Sequence, residues 1–334
     1  MLAVCEMAGI LFLKFMNMKQ RAPRNRTLVV APEEVAELDE RIVDGSGLAV
    51  GDDVTDATIC GDVTRVLPML PDGFADLVIA DPPYNLNKRF GTMNFSAMSE
   101  ERYEAYLESW IPAVVAKLKA DGTMYVCGDW RCGSAIQRVL SRHMTVINRI
   151  TWQREKGRGA TANWKNSMED IWYAVKNPDD YFFDLEAVKM RRLVRAPYRE
   201  NGVPKDWNIT ELGNFRDTSP QNLWDDISVP FWSMPENTDH PTQKPEKLYA
   251  KLILASSQPG DVVFDPFLGS GTASVVAKKL GRRYCGVELN REYCRLAAKR
   301  LLLAEDDASI QGYEDGVFWE RNSRPVAMKP KRKR

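Results

Sequence analysis

An acidic residue followed by two prolines and a tyrosine comes directly after an apolar run in the first third of the chain. In the segment DLVIADPPY, the apolar run ends at Ala80, and Asp81, Pro82, Pro83 and Tyr84 follow it. A carboxylate and a proline carbonyl both accept hydrogen bonds, and the two prolines stiffen the turn that carries them. Fixed acceptors of this kind can hold an amino group and prepare its nitrogen for reaction. The motif therefore predicts a catalytic turn at the end of a strand.

A glycine-containing turn with acidic residues nearby forms a second candidate site. In the segment DVVFDPFLGSGT, a predicted strand ends at Phe264 and a helix begins near Thr272. Gly269 and Gly271 let the backbone approach a ligand beside the helix N-terminus. Glu288 ends the next strand, near the spacing at which an acidic residue accepts the ribose hydroxyls of a dinucleotide. The pattern predicts a site for a nucleotide-like cofactor.

This turn differs from the usual phosphate-binding loops. The motifs G-x-G-x-x-G and GK[ST] are both absent, and Asp265 places a carboxylate where it would repel a pyrophosphate. A cofactor with an amino group fits better, because carboxylates near the turn could hold the ammonium of S-adenosylmethionine while Glu288 holds its ribose. The predicted cofactor-binding residues of the turn are Asp265, Pro266, Phe267, Gly269, Ser270, Gly271 and Thr272.

The elements that must position the two motifs alternate between short apolar runs and helical patterns. This alternation is typical of a mainly parallel sheet with helices on both faces. Strands are predicted at 57–60, 76–80, 123–127, 145–152, 168–175, 261–264 and 283–287. Helices are predicted at 99–118, 130–142, 245–257, 271–280 and 290–303. Ligands bind such sheets at the carboxyl ends of the strands, so Asp81 and Asp265 are expected to face one pocket.

The pattern also divides the chain into parts. Residues 31–56 contain far more acidic than basic residues and are expected to be solvated. Residues 176–239 have little periodicity and are rich in Pro, Asn, Asp and Trp, so they are predicted to be an insert. The predicted parts are an N-terminal extension with the acidic lead-in at 1–56, the catalytic half of the core at 57–175, the insert at 176–239, the cofactor-binding half at 240–304 and a tail with a basic end at 305–334.

The composition limits the classes of function. The chain of 334 residues can bury a substantial core, and its 46 basic and 46 acidic residues indicate no polyanionic partner by total charge alone. Six cysteines without a CxxC pair and two histidines support neither a disulfide framework nor a zinc site. The apolar start is interrupted by Glu6 and Lys14 and is too short to cross a membrane. We expect a cytoplasmic protein with reduced thiols, no metal and no membrane association.

Three motifs in this order resemble the amino-methylating DNA methyltransferases of the permuted beta class. They are DPPY at 81–84, HPTQKP at 240–245 and DPFLGSGT at 265–272. The resemblance covers roughly residues 57–303. It implies a Rossmann-like, circularly permuted α/β fold that binds S-adenosylmethionine, with the insert as a target-recognition region.

The resemblance also implies roles for residues outside the two motifs. His240, Thr242 and Lys244 would lie by the methionine end of the cofactor. Asp62, which follows the strand predicted at 57–60, would lie beside the cofactor adenine. An ordinary turn aspartate is the alternative for Asp62, and a structural histidine before proline is the alternative for His240.

In this family the target is an amino group of a base in double-stranded DNA. Asp81 and the Pro82 carbonyl would accept the hydrogens of the N6 amino group of adenine, Tyr84 would stack on the flipped base, and the methyl group would pass in line. Stacking contributes about 1–3 kcal/mol, which offsets only part of the cost of flipping, so phosphate contacts must supply the rest. The candidates for these contacts are Arg154, Lys156, Arg158, Lys165, Arg191, Arg192 and Arg195.

Several alternatives remain open in the sequence. N4 methylation of cytosine uses the same chemistry, and Asp81 rather than Ser as the first motif residue favours adenine. An RNA methyltransferase and an inactive DNA-binding relative are further alternatives, whereas a cytosine 5-methyltransferase needs a Pro-Cys pair that is absent. A cognate restriction endonuclease is a candidate partner, and the protein is expected to be a monomer or homodimer. The tryptophans at 164, 207, 224 and 232 are predicted to form a small core in the insert.

Overall fold

The computed structural model describes residues 22–90, 93–154, 161–194, 198–210 and 213–320. The α-helices in these ranges are α1 (Val35–Glu40), α2 (Val63–Val66), α3 (Glu100–Glu108), α4 (Ile111–Lys117), α5 (Gly133–His143), α6 (Glu246–Ser256), α7 (Thr272–Lys279) and α8 (Arg291–Asp306). Short 3-10 helices lie at Pro32–Glu34, Gly45–Gly47, Leu67–Met69 and Glu186–Val188.

The strands of the first half are β1 (Ile42–Asp44), β2 (Ala57–Cys60), β3 (Ala75–Ala80), β4 (Lys88–Phe90), β5 (Met93–Phe95), β6 (Leu118–Gly128), β7 (Thr145–Gln153) and β8 (Met168–Val175). The remaining strands are β9 (Met190–Leu193), β10 (Arg199–Glu200), β11 (Val203–Pro204), β12 (Asn208–Thr210), β13 (Gly213–Thr218), β14 (Leu223–Trp224), β15 (Val262–Asp265), β16 (Arg283–Glu288), β17 (Tyr313–Glu314) and β18 (Val317–Trp319).

A nine-stranded sheet runs through the described part of the chain in the order β1-β2-β16-β15-β3-β6-β8-β7-β14. The strands from β1 to β6 in this order are parallel to their neighbours. Strand β8 is antiparallel to both β6 and β7, and β14 is parallel to β7. The prediction of an α/β fold with a mainly parallel sheet is confirmed.

The sheet separates two apolar cores, because side chains alternate between its faces along each strand. In β3, Val78 and Ala80 belong to the core that is covered by α3, α4 and α5. Leu77 and Ile79 belong to the other core, which is covered by α6 and α7. All four side chains are fully buried, so β3 is held rigidly up to the residue that precedes the DPPY motif.

The expectation of a solvated acidic lead-in is wrong for part of that segment. Strand β1 forms an edge of the sheet beside β2, and helix α1 packs Leu38 against α8. Basic residues recur every fourth position on α8, and Arg291, Arg295 and Lys299 bind the carboxylates of Asp39 and Glu34. These contacts lower the pKa of Asp39, chiefly through its hydrogen bond with Arg295. The acidic segment therefore docks on a complementary basic stripe.

The insert and the C-terminal segment also form more regular structure than expected. Strands β9, β12 and β13 of the insert form one five-stranded sheet with β17 and β18, which lie in the segment predicted to be a tail. A turn at Asp315 and Gly316, both with positive φ, joins β17 to β18. Asp-Gly is a common hairpin turn, so the sequence did contain a signal for this pair of strands.

The predicted helix at 99–118 is divided into α3 and α4. Pro112 lies in the first turn of α4, a position that favours a new helix start over a continuous helix. The fully buried Trp110 lies between the two helices. No helix in the described ranges is long and apolar enough to cross a membrane.

Candidate active site

The carboxyl edge of the sheet brings the acidic residues of the two motifs together. Asp81 follows the last residue of β3, and Asp265 is the last residue of the neighbouring strand β15. The two strands pair in parallel through Leu77 and Val263. Glu288 ends β16, on the other side of β15. The local sequence places each carboxylate at the end of an apolar strand, and the topology places the three ends side by side.

Asp81 and the glycine turn line a common cavity, as the sequence predicts. The cavity also receives residues of the HPTQKP segment, which leads into α6. Its lining consists of Asp81, His240, Thr242, Gln243, Lys244, Tyr249, Asp265, Phe267, Leu268, Gly269, Ser270 and Thr272. Nine of these residues are predicted catalytic or cofactor-binding residues.

The closest polar contact in this cavity joins Lys244 to Asp81. The Nζ atom of Lys244 lies 2.5 Å from Oδ2 of Asp81, and the Tyr84 hydroxyl donates to Oδ1 of Asp81 at 2.8 Å. Nζ also lies 3.1 Å from the Tyr84 hydroxyl and 5.3 Å from the centre of its ring. The ammonium therefore lies at the hydroxyl end of the Tyr84 ring, beside Asp81.

Glu169 is a site residue that the sequence reasoning missed. It lies at the start of β8, which runs antiparallel to β6, so its side chain comes to the same edge of the sheet as Asp81. Its Oε2 atom accepts from the Tyr84 hydroxyl at 3.1 Å and lies 3.3 Å from Nζ of Lys244. The signal was a pair of carboxylates at the start of a strand that is otherwise apolar, where burial of a charge requires a partner.

The glycine turn is tightly packed. Gly269 and Gly271 have φ angles of +55° and +86°, a region that favours glycine. The Gly269 N–H donates to Oε2 of Glu288 at 2.9 Å, and a Cβ atom on Gly269 would lie 3.1 Å from the His240 ring. A Cβ on Gly271 would lie 2.6 Å from the Cβ of Ala297 in α8. Gly271 therefore permits close packing of α7 against α8.

A buried arginine connects the turn to the HPTQKP segment. Arg300 donates to the Ser270 carbonyl at 2.9 Å, to the Thr272 hydroxyl at 3.1 Å and to Glu246 at 2.8 Å. The Thr272 hydroxyl in turn donates to the Lys244 carbonyl at 3.1 Å. The backbone of Lys244 is thus fixed to the predicted cofactor turn, while its side chain reaches the catalytic motif.

Other predicted cofactor residues make local structural contacts. Asp62 caps α2 by accepting from the Thr64 N–H at 2.9 Å, as an ordinary turn aspartate would. The Thr242 N–H donates to Nδ1 of His240 at 3.4 Å. Pro266 is buried after β15, and Phe267 packs edge-on against Trp110 with ring centres 4.9 Å apart.

The two prolines of the catalytic motif are enclosed by neighbouring elements. Pro82 is buried, and the Pro83 carbonyl accepts a hydrogen bond from the Tyr103 hydroxyl at 3.1 Å. Tyr103 lies in α3 and is itself buried. Helix α3 therefore fixes the turn that follows Asp81.

Burial changes the protonation of several groups around the cavity. It raises the pKa of Asp265 well above the usual value and raises the pKa of Glu288. It lowers the pKa of His240 to about 3, so this ring is neutral at neutral pH. Burial also opposes the charge on Lys244, but the neighbouring carboxylates of Asp81 and Glu169 outweigh it and raise the lysine pKa. The site therefore holds a permanent ammonium group.

The predicted DNA-contacting residues are placed in different environments. Arg154 pairs with Glu169 at 2.8 Å, and Arg191 pairs with Asp217 through two hydrogen bonds at 2.8 and 2.7 Å. The Arg192 Nε atom is buried without a hydrogen-bond partner among the described residues. Lys165 is exposed. Lys156, Arg158 and Arg195 lie outside the described residues.

The prediction of a small tryptophan core in the insert is wrong for Trp224, which is buried in the core of the nine-stranded sheet together with Ile79 and Leu248. Trp207 and Trp224 are buried, and their indole N–H groups donate to backbone carbonyls. Trp232 is half-exposed. Trp164 is 94% exposed and precedes Lys165, so the prediction is wrong for this residue.

Comparisons with known proteins agree with the arrangement of the motifs. A family model described as DNA methylase, of the N6 and N4 type, matches residues 75–299. The type II methyltransferase M.HpaI of Haemophilus parainfluenzae is 33% identical over 258 residues, which are 77% of this chain and 76% of that protein. The DNA adenine methyltransferase YhdJ of Escherichia coli (strain K12) is 34% identical over 279 residues, which are 79% of this chain and 90% of that protein.

The fold is similar to that of a solved structure. The crystal structure of the M1.HpyAVI–SAM complex has a TM-score of 0.50 and 24% sequence identity, and the match covers 73% of this chain and 98% of that one.

Proposed function

The chain belongs to the DNA methylase family of the N6 and N4 type, and we propose that it methylates the N6 amino group of adenine in double-stranded DNA with S-adenosylmethionine as methyl donor. One relative, at 34% identity over most of both chains, is named a DNA adenine methyltransferase, which favours adenine as the target. The family model is described as DNA methylase, which supports a DNA substrate without naming the base.

The observation that supports this proposal most is the cavity shared by Asp81 and the Gly269 turn. Methyl transfer requires the acceptor nitrogen and the donor carbon to lie within about 3–3.5 Å in line before reaction. Two motifs that are 184 positions apart in the sequence, at Asp81 and Asp265, contribute to one lining here. A chain that only binds DNA has no chemical need for this convergence.

The residues around Asp81 suit the activation of an amino group. The lone pair of an exocyclic adenine nitrogen is delocalised into the ring, so the nitrogen becomes a nucleophile only when acceptors hold its hydrogens. Asp81 and the Pro82 carbonyl are the two acceptors in this proposal. The buried Pro82 and the hydrogen bond from the Tyr103 hydroxyl to the Pro83 carbonyl keep the turn fixed, so little reorganisation is needed during the reaction.

We assign the glycine-turn side of the cavity to the cofactor. Glu288 is half-buried beside the turn, where it accepts from the Gly269 N–H, and would hold the ribose hydroxyls, while Asp265 of the cavity lining would face the ammonium end. Gly269 keeps backbone close to this place, and neutral His240 closes its side. When bound, S-adenosylmethionine supplies a methyl group on a sulfonium, which is reactive without a metal ion.

Access of the target nitrogen requires that the base leave the duplex, at a cost of a few kcal/mol. Lys165 and Trp164 are exposed on the segment between β7 and β8, near the edge that carries Asp81. A cation and an aromatic ring in this position would bind a phosphate and a displaced base. The proposal assigns these two residues to the DNA-facing surface.

N4 of cytosine is the second candidate target, since the family includes both activities. A cytoplasmic location, a cognate restriction endonuclease and a monomeric or homodimeric state complete the proposal, and the insert at 176–239 is proposed to recognise the target sequence.

The deciding experiment is methylation of mixed duplex DNA with labelled S-adenosylmethionine. Nucleoside mass spectrometry should find N6-methyladenine, and long-read sequencing should place it in one sequence context. N4-methylcytosine would replace the proposed target with the second candidate. Labelled RNA without labelled DNA, or no transfer despite cofactor binding, would contradict the proposal.

A further inference from the structure

Both carboxylate oxygens of Asp81 are already engaged by groups of the protein. Lys244 donates to Oδ2 at 2.5 Å, and the Tyr84 hydroxyl donates to Oδ1 at 2.8 Å. Each carboxylate oxygen can accept more than one hydrogen bond, but the target amino group has to approach Asp81 through the space that these donors occupy. Lys244 is the donor that stands in the way, because its Nζ also lies 3.1 Å from the Tyr84 hydroxyl and 3.3 Å from Glu169, at the centre of the polar contacts around Asp81.

The free space in the cavity leads to the same conclusion. With Lys244 in this position, the space among the lining residues is about 20 Å³. A cavity of this size holds about one water molecule. Neither a purine base nor S-adenosylmethionine fits this space, so lining side chains have to move before the ligands bind, and Lys244 is the lining residue that holds Asp81.

Glu169 provides an alternative acceptor for the displaced group. Its Oε2 atom lies 3.3 Å from Nζ of Lys244, and its side chain is only 8% exposed. Arg154 holds the other oxygen of Glu169 at 2.8 Å, which keeps the carboxylate in place and balances its charge. A short movement of Nζ from Asp81 to Glu169 exchanges one charged contact for another. Without Glu169, the same movement would leave a buried ammonium without a carboxylate, which is strongly unfavourable.

We infer that Glu169 is a positioning residue that takes over the ammonium of Lys244 when the target amino group binds Asp81. This inference rests on the proposed function of Asp81. Lys244 keeps the acceptor site filled and neutral in the free protein, and Glu169 makes its displacement easy. The amino group of the substrate then replaces an ammonium that occupied nearly the same position.

The test compares single-turnover methylation by the full chain and by Glu169→Gln, at saturating S-adenosylmethionine and saturating duplex DNA. The amide keeps the size of the side chain but removes its charge, so Lys244 stays with Asp81. The rate should fall about tenfold or more, while the dissociation constant for the cofactor stays within about twofold. Asp170→Asn is the matched control, because Asp170 is a buried carboxylate on the same strand that pairs with Thr151. Its rate should stay within about twofold of the wild-type rate.

A double-mutant cycle with Lys244→Met separates positioning from a general structural role. Removal of the ammonium removes the need for its second acceptor, so adding Glu169→Gln to Lys244→Met should change the rate by less than about twofold. If Glu169→Gln unfolds at a lower temperature than the wild type, Glu169→Asp takes its place in the cycle. This variant keeps the charge and should therefore lose less activity than Glu169→Gln.

Two results would overturn the inference. One is a Glu169→Gln rate within about twofold of the wild-type rate, and the other is a double variant in which the two losses multiply. Neither result affects the role of Asp81, which is tested separately with Asp81→Ala. An active Asp81→Ala variant would instead contradict the proposed function, whatever Glu169→Gln does.

Discussion

The Nζ atom of Lys244 lies 2.5 Å from Oδ2 of Asp81, although 163 positions separate the two residues in the chain. This ion pair connects the segment before α6 to the turn after β3. The backbone of Lys244 is fixed to the glycine turn by the Thr272 hydroxyl, so one residue contacts both halves of the site. Substitutions at the two ends of the pair therefore test different halves of the proposal.

Asp81→Ala should reduce methyl transfer about a hundredfold or more, because it removes an acceptor that is fixed before the reaction begins. Cofactor binding should stay within about threefold, since the residues of the glycine turn are unchanged. Single-turnover methylation and equilibrium titration with S-adenosylmethionine measure the two effects. A variant with most of its activity would exclude the proposed role of Asp81.

Gly271→Ala should destabilise the fold rather than only block the cofactor. Its Cβ would lie 2.6 Å from the Cβ of Ala297, and the residue has a φ of +86°. Gly281→Ala is the matched control, because Gly281 has a φ of +73° and no described atom within 4 Å of the added Cβ. Urea unfolding should show a loss that is about 1–3 kcal/mol greater for Gly271→Ala, the usual effect of overpacking. Equal losses of unfolding free energy in the two variants would mean that α8 moves away from the added Cβ at no cost.

The stability of the protein should depend on His240 in mild acid. Burial lowers the pKa of this residue in the folded state to about 3, whereas the unfolded chain has the usual value of 6.5. Between these values the unfolded state binds the extra proton, so stability falls as the pH falls from 6.5 towards 3. The slope from this residue is at most about 1.4 kcal/mol per pH unit.

His240→Asn should remove this component, because an asparagine can keep the turn contact without titrating. Urea unfolding at pH 6.5, 5.5 and 4.5 compares the variant with the wild type. The difference in unfolding free energy should change with pH. A constant difference would show that the ring is protonated in the folded state as readily as in the unfolded chain.

Lys165→Ala and Trp164→Ala should weaken duplex binding. Both side chains are exposed, so neither change should alter the unfolding free energy by more than about 0.5 kcal/mol. Loss of one phosphate contact in Lys165→Ala should reduce the slope of log affinity against log salt by about one. Fluorescence anisotropy at several salt concentrations measures this slope.

Much of the core follows from the sequence because strong apolar runs set its strands. Strand β8 has the bounds predicted for it, and β3, β15 and β16 differ by one residue at their ends. The motifs at Asp81 and Asp265 end two of these strands, so their meeting at one edge follows from the rule that parallel strands end together. The local pattern of apolar runs was therefore sufficient to predict these strands and the meeting of the two motifs.

The parts that were not predicted depend on partners distant in the chain. Strand β1 is three residues long and lies in an acidic segment, and it becomes ordered only through β2 and the basic stripe of α8. The contacts of Glu169 with Lys244 and Tyr84 join three separate segments, and no spacing in the sequence encodes them. The only sequence signal for Glu169 that we identified was the pair of carboxylates at the start of an otherwise apolar strand.

The parallel pairing of β3 with β15 sets the order in which the site can form during synthesis. The Val262 N–H, at the start of β15, donates to the side chain of Asp76 in β3, and 186 positions separate the two residues. Strand β15, the neighbour of β3 in the sheet, is therefore translated late. At ordinary rates of translation, roughly 10 to 40 seconds pass between the two strands leaving the ribosome. Throughout that interval the edge of β3 that pairs with β15 has no partner strand, and the methyl-donor site is absent. A nascent chain that has not reached residue 262 lacks β15 and the glycine turn, so it acquires methyl-transfer activity only after this part of the chain has been translated.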